Sequence, residues 1–494
     1  MTTSRHDGAD PGAATQSARR WIAEYGSATA GGDTVRSERS TFRSGSATEP
    51  EPIMPRITLS EPEAGYAPTD FWVRRRIGDG GMGVVDAAEQ RALAREVAIK
   101  RVRMKGDALA HQTLIQEARL VAQLDHPNIP PVHLLANDDA GAPVLVMKRI
   151  DGVTWRALID DSEHPYWSEI TGERLAFHLT VIRQVAQALD YAHSKGVLHR
   201  DVKVDNVMLG PYGEVYLLDW GVAVRLDEQG CAPSDPYGGT PNYSAPEMFN
   251  EAATLTVVTD VYLLGATLHH VLMGTPIHQG DSLEAVLIGA MLSIPYKYPS
   301  TIAQELATLC THACSADSTE RPPTARAFRD AIDDYWERRH SVSRLRAANQ
   351  LLSRLGLAIQ EGDLTSREID RLGIQCRFAF EQLLEEDPAE ASAKCGLTSA
   401  IETLAWYELR QGNVESARRL ISELRAADLA PGRLSSLVRR LSDVERQKRT
   451  EMGELATQIQ YRLLERLQNA EAELAKSVDY APGDEDTAID PPDE

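Results

Sequence analysis

The sequence predicts an α+β chain of two lobes followed by an all-α region, and three observations carry that reading. Runs rich in β-branched residues, bounded by a glycine cluster, occupy the stretch from Phe71 to about Ile150. Beyond Leu175 apolar residues recur at spacings of three and four, the period of a helix face. From about Ser341 to Ser477 the chain contains only Pro388 and Pro431 and pairs Arg with Glu at helical spacing. A chain of 494 residues also exceeds what one ordinary core holds, so more than one functional unit is expected.

Composition narrows the class. A hydrophobic fraction of 42% and a charged fraction of 25% are globular values, which confines disorder to local stretches. The net charge of −21 would repel a polyanion, and no Lys/Arg stripe offsets it, so nucleic acid is excluded as a main partner. Five scattered cysteines make no disulfide framework and point to a reducing compartment. Cys310 and Cys314, four apart in CTHAC, read as two small apolar residues on one helix face rather than as metal ligands, because no second ligand pair lies nearby. The most apolar stretch, Val257 to Met273, carries Asp260, His269 and His270, so no membrane span is expected. The opening residues lack the apolar run of an export signal, and a cytoplasmic location follows as the expectation.

Taken in order, residues 1–68 are rich in Gly, Ser, Thr, Ala and Pro without a sustained apolar period and read as a disordered extension. Residues 69–337 form the two-lobed domain. WVRRRI and VAIK read as strands, Gln112 to Leu124 as a helix, and Pro131 to Leu135 and Val144 to Ile150 as further strands. A long helix begins at Leu175 and stops on Gly196. Residues 338–478 form the helical region. Within it Ala405 to Leu424 resembles the helix-turn-helix of a tetratricopeptide unit, with Gly412 at the turn and small Ala417 allowing close approach, although no period of 34 residues recurs and an irregular bundle fits equally. Residues 479–494 are an acidic, proline-broken tail expected to be disordered.

The chemistry lies in the two-lobed domain. Gly78, Gly80 and Gly83 stand in GxGxxG order with Val85 two residues on. That spacing also opens dinucleotide folds, but there a helix follows the loop, whereas here a second strand follows and closes on Ala98 and Lys100. Strand, glycine loop and strand make a flap whose backbone can lie over phosphates, with the Lys100 cation reaching toward them. Glu117, on the next helix, is placed to pair with Lys100.

HRDVKVDN (His199 to Asn206) resembles the catalytic loop of eukaryotic-like (Hanks-type) protein kinases, especially bacterial serine/threonine kinases. The resemblance covers about Phe71 to Tyr335 and implies a bilobal fold with a small β-rich lobe and a helical lobe. It implies that Asp201 accepts the proton of the substrate hydroxyl and that Lys203 neutralises the migrating phosphoryl group. Asn206 and Asp219, the latter in LLDWG, would hold Mg²⁺ or Mn²⁺, with ATP as co-substrate. Met147 would guard the back of the adenine pocket, and Val85, Ala98 and Met208 would line it. This sequence has Val204 where the family usually has Pro, and Trp220 where it usually has Phe. GTPNYSAPE (Gly239 to Glu247) resembles the substrate-docking loop. There Glu247 is expected to pair with Arg321, and Thr240 to bond Asp201 and Lys203. Asp260 would brace the catalytic loop.

The resemblance implies transfer of the γ-phosphoryl group of ATP to protein Ser/Thr hydroxyls, with autophosphorylation, in signal transduction. Two other readings stand beside it. A pseudokinase scaffold is opposed by the intact set Lys100, Glu117, Asp201, Lys203, Asn206 and Asp219, and a small-molecule kinase by the complete docking loop. The helical region is expected to receive a protein partner. The resemblance also implies that Arg200 before Asp201 marks a phosphorylation switch, for which Ser234 and Tyr237 are the hydroxyl residues between Gly221 and Gly239.

Overall fold

The computed structural model describes residues 11–25, 54–60, 69–80, 83–104, 107–234, 239–426 and 431–478. The chain divides after Trp336 into two compact units.

The first unit begins with α1 (Pro11–Tyr25), followed by β1 (Leu59–Ser60), β2 (Phe71–Gly80), β3 (Gly83–Gln90) and β4 (Arg95–Arg101). Next come α2 (Ala108–Val121), β5 (Val132–Asn137) and β6 (Pro143–Lys148). The strands make one sheet in the order β1-β2-β3-β4-β6-β5, antiparallel except for β1 on β2. Alternation along β4 and β6 sends Val97, Ile99, Val144 and Val146 into one apolar cluster with Phe71 and Ile57, which leaves Ala98 and Lys100 on the opposite face. α2 starts four residues before the position that periodicity suggested, because the Asp107 carboxylate caps it by accepting from the Ala110 N–H.

The helical lobe is built from β7 (Val153–Thr154), α3 (Trp155–Asp160), α4 (Arg174–Ser194), β8 (Val197–Leu198), β9 (Val207–Leu209), β10 (Val215–Leu217) and β11 (Val224–Arg225). β12 (Ala232–Pro233) pairs with β13 (Thr254–Leu255), and α5 (Val257–Met273), α6 (Leu283–Leu292) and α7 (Gln304–Ala313) follow. α5 is buried along most of its length because it lies at the centre of one large core shared with α4 and α7. Cys310 and Cys314 belong to that core, where burial pushes the Cys310 thiol up to about 12.

In the second unit α8 (Ala325–Glu361) supplies Ala348 and Leu355, and α9 (Ser366–Glu386), α10 (Ala391–Gln411), α11 (Val414–Ala426) and α12 (Pro431–Val478) complete an all-helical body. The turn between α10 and α11 sits on Gly412 at φ 74°, and Ala417 is fully buried beside Ala405 and Leu409. Among the described residues the only regular elements of the unit are α-helices.

The expectation that residues 1–68 are disordered needs correction in two places. α1 buries Ala18 and Trp21 against Leu287 of α6, and Arg19 pairs with Glu284 at 2.8 Å. Farther on, Ile57 enters the sheet core and its N–H bonds the Asn137 carbonyl. In both places a few large apolar residues gain burial within an otherwise polar stretch, too few to produce a visible period. The acidic tail at 479–494 lies outside the described residues.

Candidate active site

Between the sheet and the helical lobe lies a cleft of about 700 Å³, lined by Gly78, Gly83, Val85, Ala98, Lys100, Glu117, Met147, Asn206, Met208 and Asp219. The flap over it is the β2–β3 hairpin. Gly80 pairs with Gly83, and Gly78 lies opposite Val85. Gly83 is the position where glycine is obligatory: its φ is 133°, and a Cβ would meet the Arg101 carbonyl oxygen at 2.3 Å. Val85 pairs in register with Lys100, and Ala98 with Met147, so these side chains follow from sheet register.

Lys100 is buried, and its Nζ donates to Glu117 Oε1 at 2.6 Å and Oε2 at 2.9 Å and to Asp219 Oδ1 at 3.2 Å. The lysine on β4, the glutamate on α2 and the aspartate after β10 thus form one charged cluster.

A second cluster surrounds Asp201. Thr240 donates its hydroxyl to Asp201 Oδ1 at 2.7 Å. Lys203 Nζ reaches Asp201 Oδ2 at 3.1 Å and the Thr240 hydroxyl at 2.6 Å. Asn206 spends its Nδ2–H on the Asp201 carbonyl at 2.8 Å and on Oδ2 at 2.9 Å, which leaves its Oδ1 as the oxygen available to a cation. Thr240, Lys203 and Asn206 all donate to this carboxylate, which is held in the site as an acceptor.

Two residues of the site carry a backbone cost: Arg200 has φ 69° and Asp219, after β10, φ 59°, left-handed values that non-glycine residues rarely adopt. For Arg200 the compensation is visible in Asp260, which is fully buried on α5. Its carboxylate accepts from the His199 and Arg200 N–H groups, each at 2.8 Å, and from His193 Nε2 at 2.8 Å. Burial works to raise the Asp260 carboxyl, but the His193 hydrogen bond and the nearby imidazoles outweigh it and hold the group below the usual carboxylate range. Burial likewise keeps His199 below its ordinary value. The His199 ring lies 4.5 Å from that of Trp220, which is buried and donates its indole N–H to the Leu217 carbonyl at 3.2 Å. The larger aromatic therefore fits this stack with its polar atom satisfied.

Glu247 and Arg321 form a two-pronged ion pair of 2.7 and 2.9 Å, with Thr259 donating to the same carboxylate. Ser234 is buried, and its hydroxyl donates to the Glu247 carbonyl at 2.9 Å, so this hydroxyl faces inward rather than toward a phosphoryl donor. Tyr237 lies outside the described residues.

The protein kinase domain family matches residues 71–333. The chain belongs to this family. Among individual proteins, the kinase domain region is similar to the serine/threonine-protein kinase PknD of Chlamydia trachomatis serovar D, with 30% identity over 53% of this chain and 31% of the relative. It is also similar to the protein of that name from Mycobacterium tuberculosis, with 33% identity over 49% of this chain and 35% of the relative. The chain therefore spans about a third of the length of the relatives it matches. Sequence reasoning about this kinase domain passed over Leu145, which lines the cleft two residues before Met147. Period two along β6 was the signal that would have found it. It also passed over His193, whose link to Asp260 joins two helices 67 residues apart in sequence and leaves no local signature.

Proposed function

We propose that this protein is an ATP-dependent serine/threonine protein kinase acting in the cytoplasm. The observation that carries the reading is the Lys100 cluster: one buried ammonium bonded to both Glu117 and Asp219 is poised where the phosphates of a nucleotide under the glycine flap would lie. Asp201 then accepts the proton of a substrate Ser or Thr hydroxyl while that oxygen forms its bond to the γ-phosphorus. The bond from γ-phosphorus to the bridging oxygen breaks, and ADP leaves with the electron pair. Lys203 balances charge on the migrating group, and Thr240 keeps Lys203 and Asp201 in register. The carboxylate of Asp219 and the amide oxygen of Asn206 are hard donors facing the cleft and fit a divalent cation, Mg²⁺ foremost. Such an ion supplies charge neutralisation on the phosphate oxygens.

Label transfer from γ-labelled ATP to a generic Ser/Thr acceptor tests the proposal. Asp201→Asn is expected to lower kcat by roughly 10²–10⁴, the usual range for loss of a general base. Equal transfer by wild type and Asp201→Asn would overturn it.

A further inference from the structure

α12 leaves the core of the helical unit at Val444, the last residue it contributes there. From Arg446 to Glu473 every residue is exposed, a projecting helix roughly 40 Å long at 1.5 Å per residue. A polar projection would need no explanation. This one carries seven large exposed apolar residues: Tyr461 and Leu464 lie on other faces, and Met452, Leu455, Ile459, Leu463 and Leu467 are between 51% and 69% exposed. Steps of three and four residues place these last five on one face. A charged helix with a continuous apolar seam has the form of an unpaired partner.

The charges beside the seam identify what covers it. Before Ile459 stand Lys448, Arg449 and Glu451; after it stand Arg462, Arg466, Glu471 and Glu473, while Glu454 and Glu465 fall on the far face. At 3.6 residues per turn Lys448, Glu451, Arg462, Arg466 and Glu473 border one side of the seam, and Arg449 and Glu471 the other; Arg462 falls level with neutral Gln458 in the arrangement below. Rotating the helix by half a turn about a point near Ile459 brings each flank against the same flank of a second helix. Lys448 then meets Glu473, Glu451 meets Arg466 and Arg449 meets Glu471, while Met452 faces Leu467 and Leu455 faces Leu463. A parallel in-register pair instead sets Lys448 and Arg449 level with their own copies and repels.

We propose that the exposed face of α12 from Met452 to Leu467 is a self-association surface on which a second copy of this chain docks antiparallel, giving a closed two-fold dimer. Sedimentation equilibrium of the full chain tests it. Wild type is expected at twice the chain mass of 54.4 kDa, and Ile459→Glu with Leu463→Glu at the single mass with unchanged helical circular dichroism. Reversing one end, Lys448→Glu, Arg449→Glu and Glu451→Arg, is expected to weaken the dimer roughly tenfold or more, from several exposed pairs turned repulsive. Adding Arg466→Glu, Glu471→Arg and Glu473→Arg to that variant restores every opposition and is expected to restore the dimer. A monomeric wild type, a dimer indifferent to the Ile459 and Leu463 substitutions, or a sixfold variant as weak as the triple one each overturns the proposal. The last outcome would leave a parallel pair or a different partner on the seam.

Discussion

The two units of this protein treat buried polarity in opposite ways. In the kinase domain Lys100, Glu117, Asp201, Lys203, Asp260 and Arg321 are all buried, whereas among the described residues of the helical unit no polar or charged residue is. A charge removed from water is costly unless opposite charges and donors surround it, so each of these groups tolerates very few positions for its neighbours. That intolerance turns a fold into a site. The helical unit has apolar seams such as Ile401, Ala405, Ile421 and Leu424, which ask only for volume and shape, and its specificity is left to its surface.

The contrast breaks most sharply at Lys100. Lys100→Met removes the cation from between Glu117 and Asp219, and label transfer is expected to fall by roughly 10²–10³, the scale for losing one preorganised electrostatic contact to the transition state. Steady-state kinetics with and without excess ATP checks it: a loss confined to KM would mean that Lys100 only binds nucleotide. Next in size is Glu247→Ala, which strands the Arg321 guanidinium and is expected to cost about 3–5 kcal/mol in urea denaturation. Phe380→Ala in the helical unit should cost a similar ~3–5 kcal/mol through a cavity. The comparison predicts that only the first of this pair lowers label transfer at temperatures where both variants remain folded. Equal losses of activity would show that the two units do not divide the labour in this way.

Legibility in the sequence followed the same division. The residues from Lys100 to Asp219 read from short contiguous patterns, because a reaction centre demands particular side chains at particular spacings; the fold lines one cleft with Lys100, Glu117, Asn206 and Asp219 and bonds Asp201 to Asn206 and Lys203. What sequence missed depends on single long-range contacts. α1 is held by Trp21 and Ala18 against α6, more than 260 residues away, and β1 is a two-residue strand that exists only because β2 is there to pair with it. The Asp260 brace was expected from a motif, yet its His193 partner was invisible because neither helix alone distinguishes that imidazole from a surface one. Ser234 reads from sequence as a hydroxyl in a short loop, and no sequence pattern shows that the loop turns it inward onto Glu247.

pH sharpens the comparison further. Burial lowers His178, His269, His270 and His278 to about 4, and all four lie in the kinase domain. Between about 6.5, the ordinary histidine value, and about 4 the unfolded chain binds more protons than the folded one. Stability is therefore fully present above that window and is lost as pH falls through it. Asp260, held low, adds a loss at still lower pH as its carboxylate is protonated. Urea denaturation at stepped pH should show the midpoint of the kinase transition falling below about 6.5. His270→Phe, which gives up one bond from Tyr243, should make that fall shallower. An unchanged slope in this variant would mean that His270 is already protonated in the folded state.

The smallest effect is expected at Ser234, and it decides between two uses of the segment before the docking loop. As a switch, its hydroxyl would have to reach a phosphoryl donor, and the added charge would have to order the loop. In the folded domain that hydroxyl is buried against the Glu247 carbonyl, and the Ser234 N–H bonds the carbonyl of Ala253, continuing the β12–β13 pairing by one residue. Phosphorylation there would have to pull Ser234 away from the stretch that carries the Glu247 ion pair, so the modification would loosen the docking loop rather than order it. Ser234→Ala removes one neutral hydrogen bond and is expected to cost about 1 kcal/mol of stability. Progress curves of label transfer at several enzyme concentrations should be superimposable on wild type, with the same lag, if any, and the same final rate. A concentration-dependent lag in wild type that disappears in Ser234→Ala would show that the loop opens often enough to expose this hydroxyl, and the inward-facing arrangement would then describe the unactivated enzyme alone.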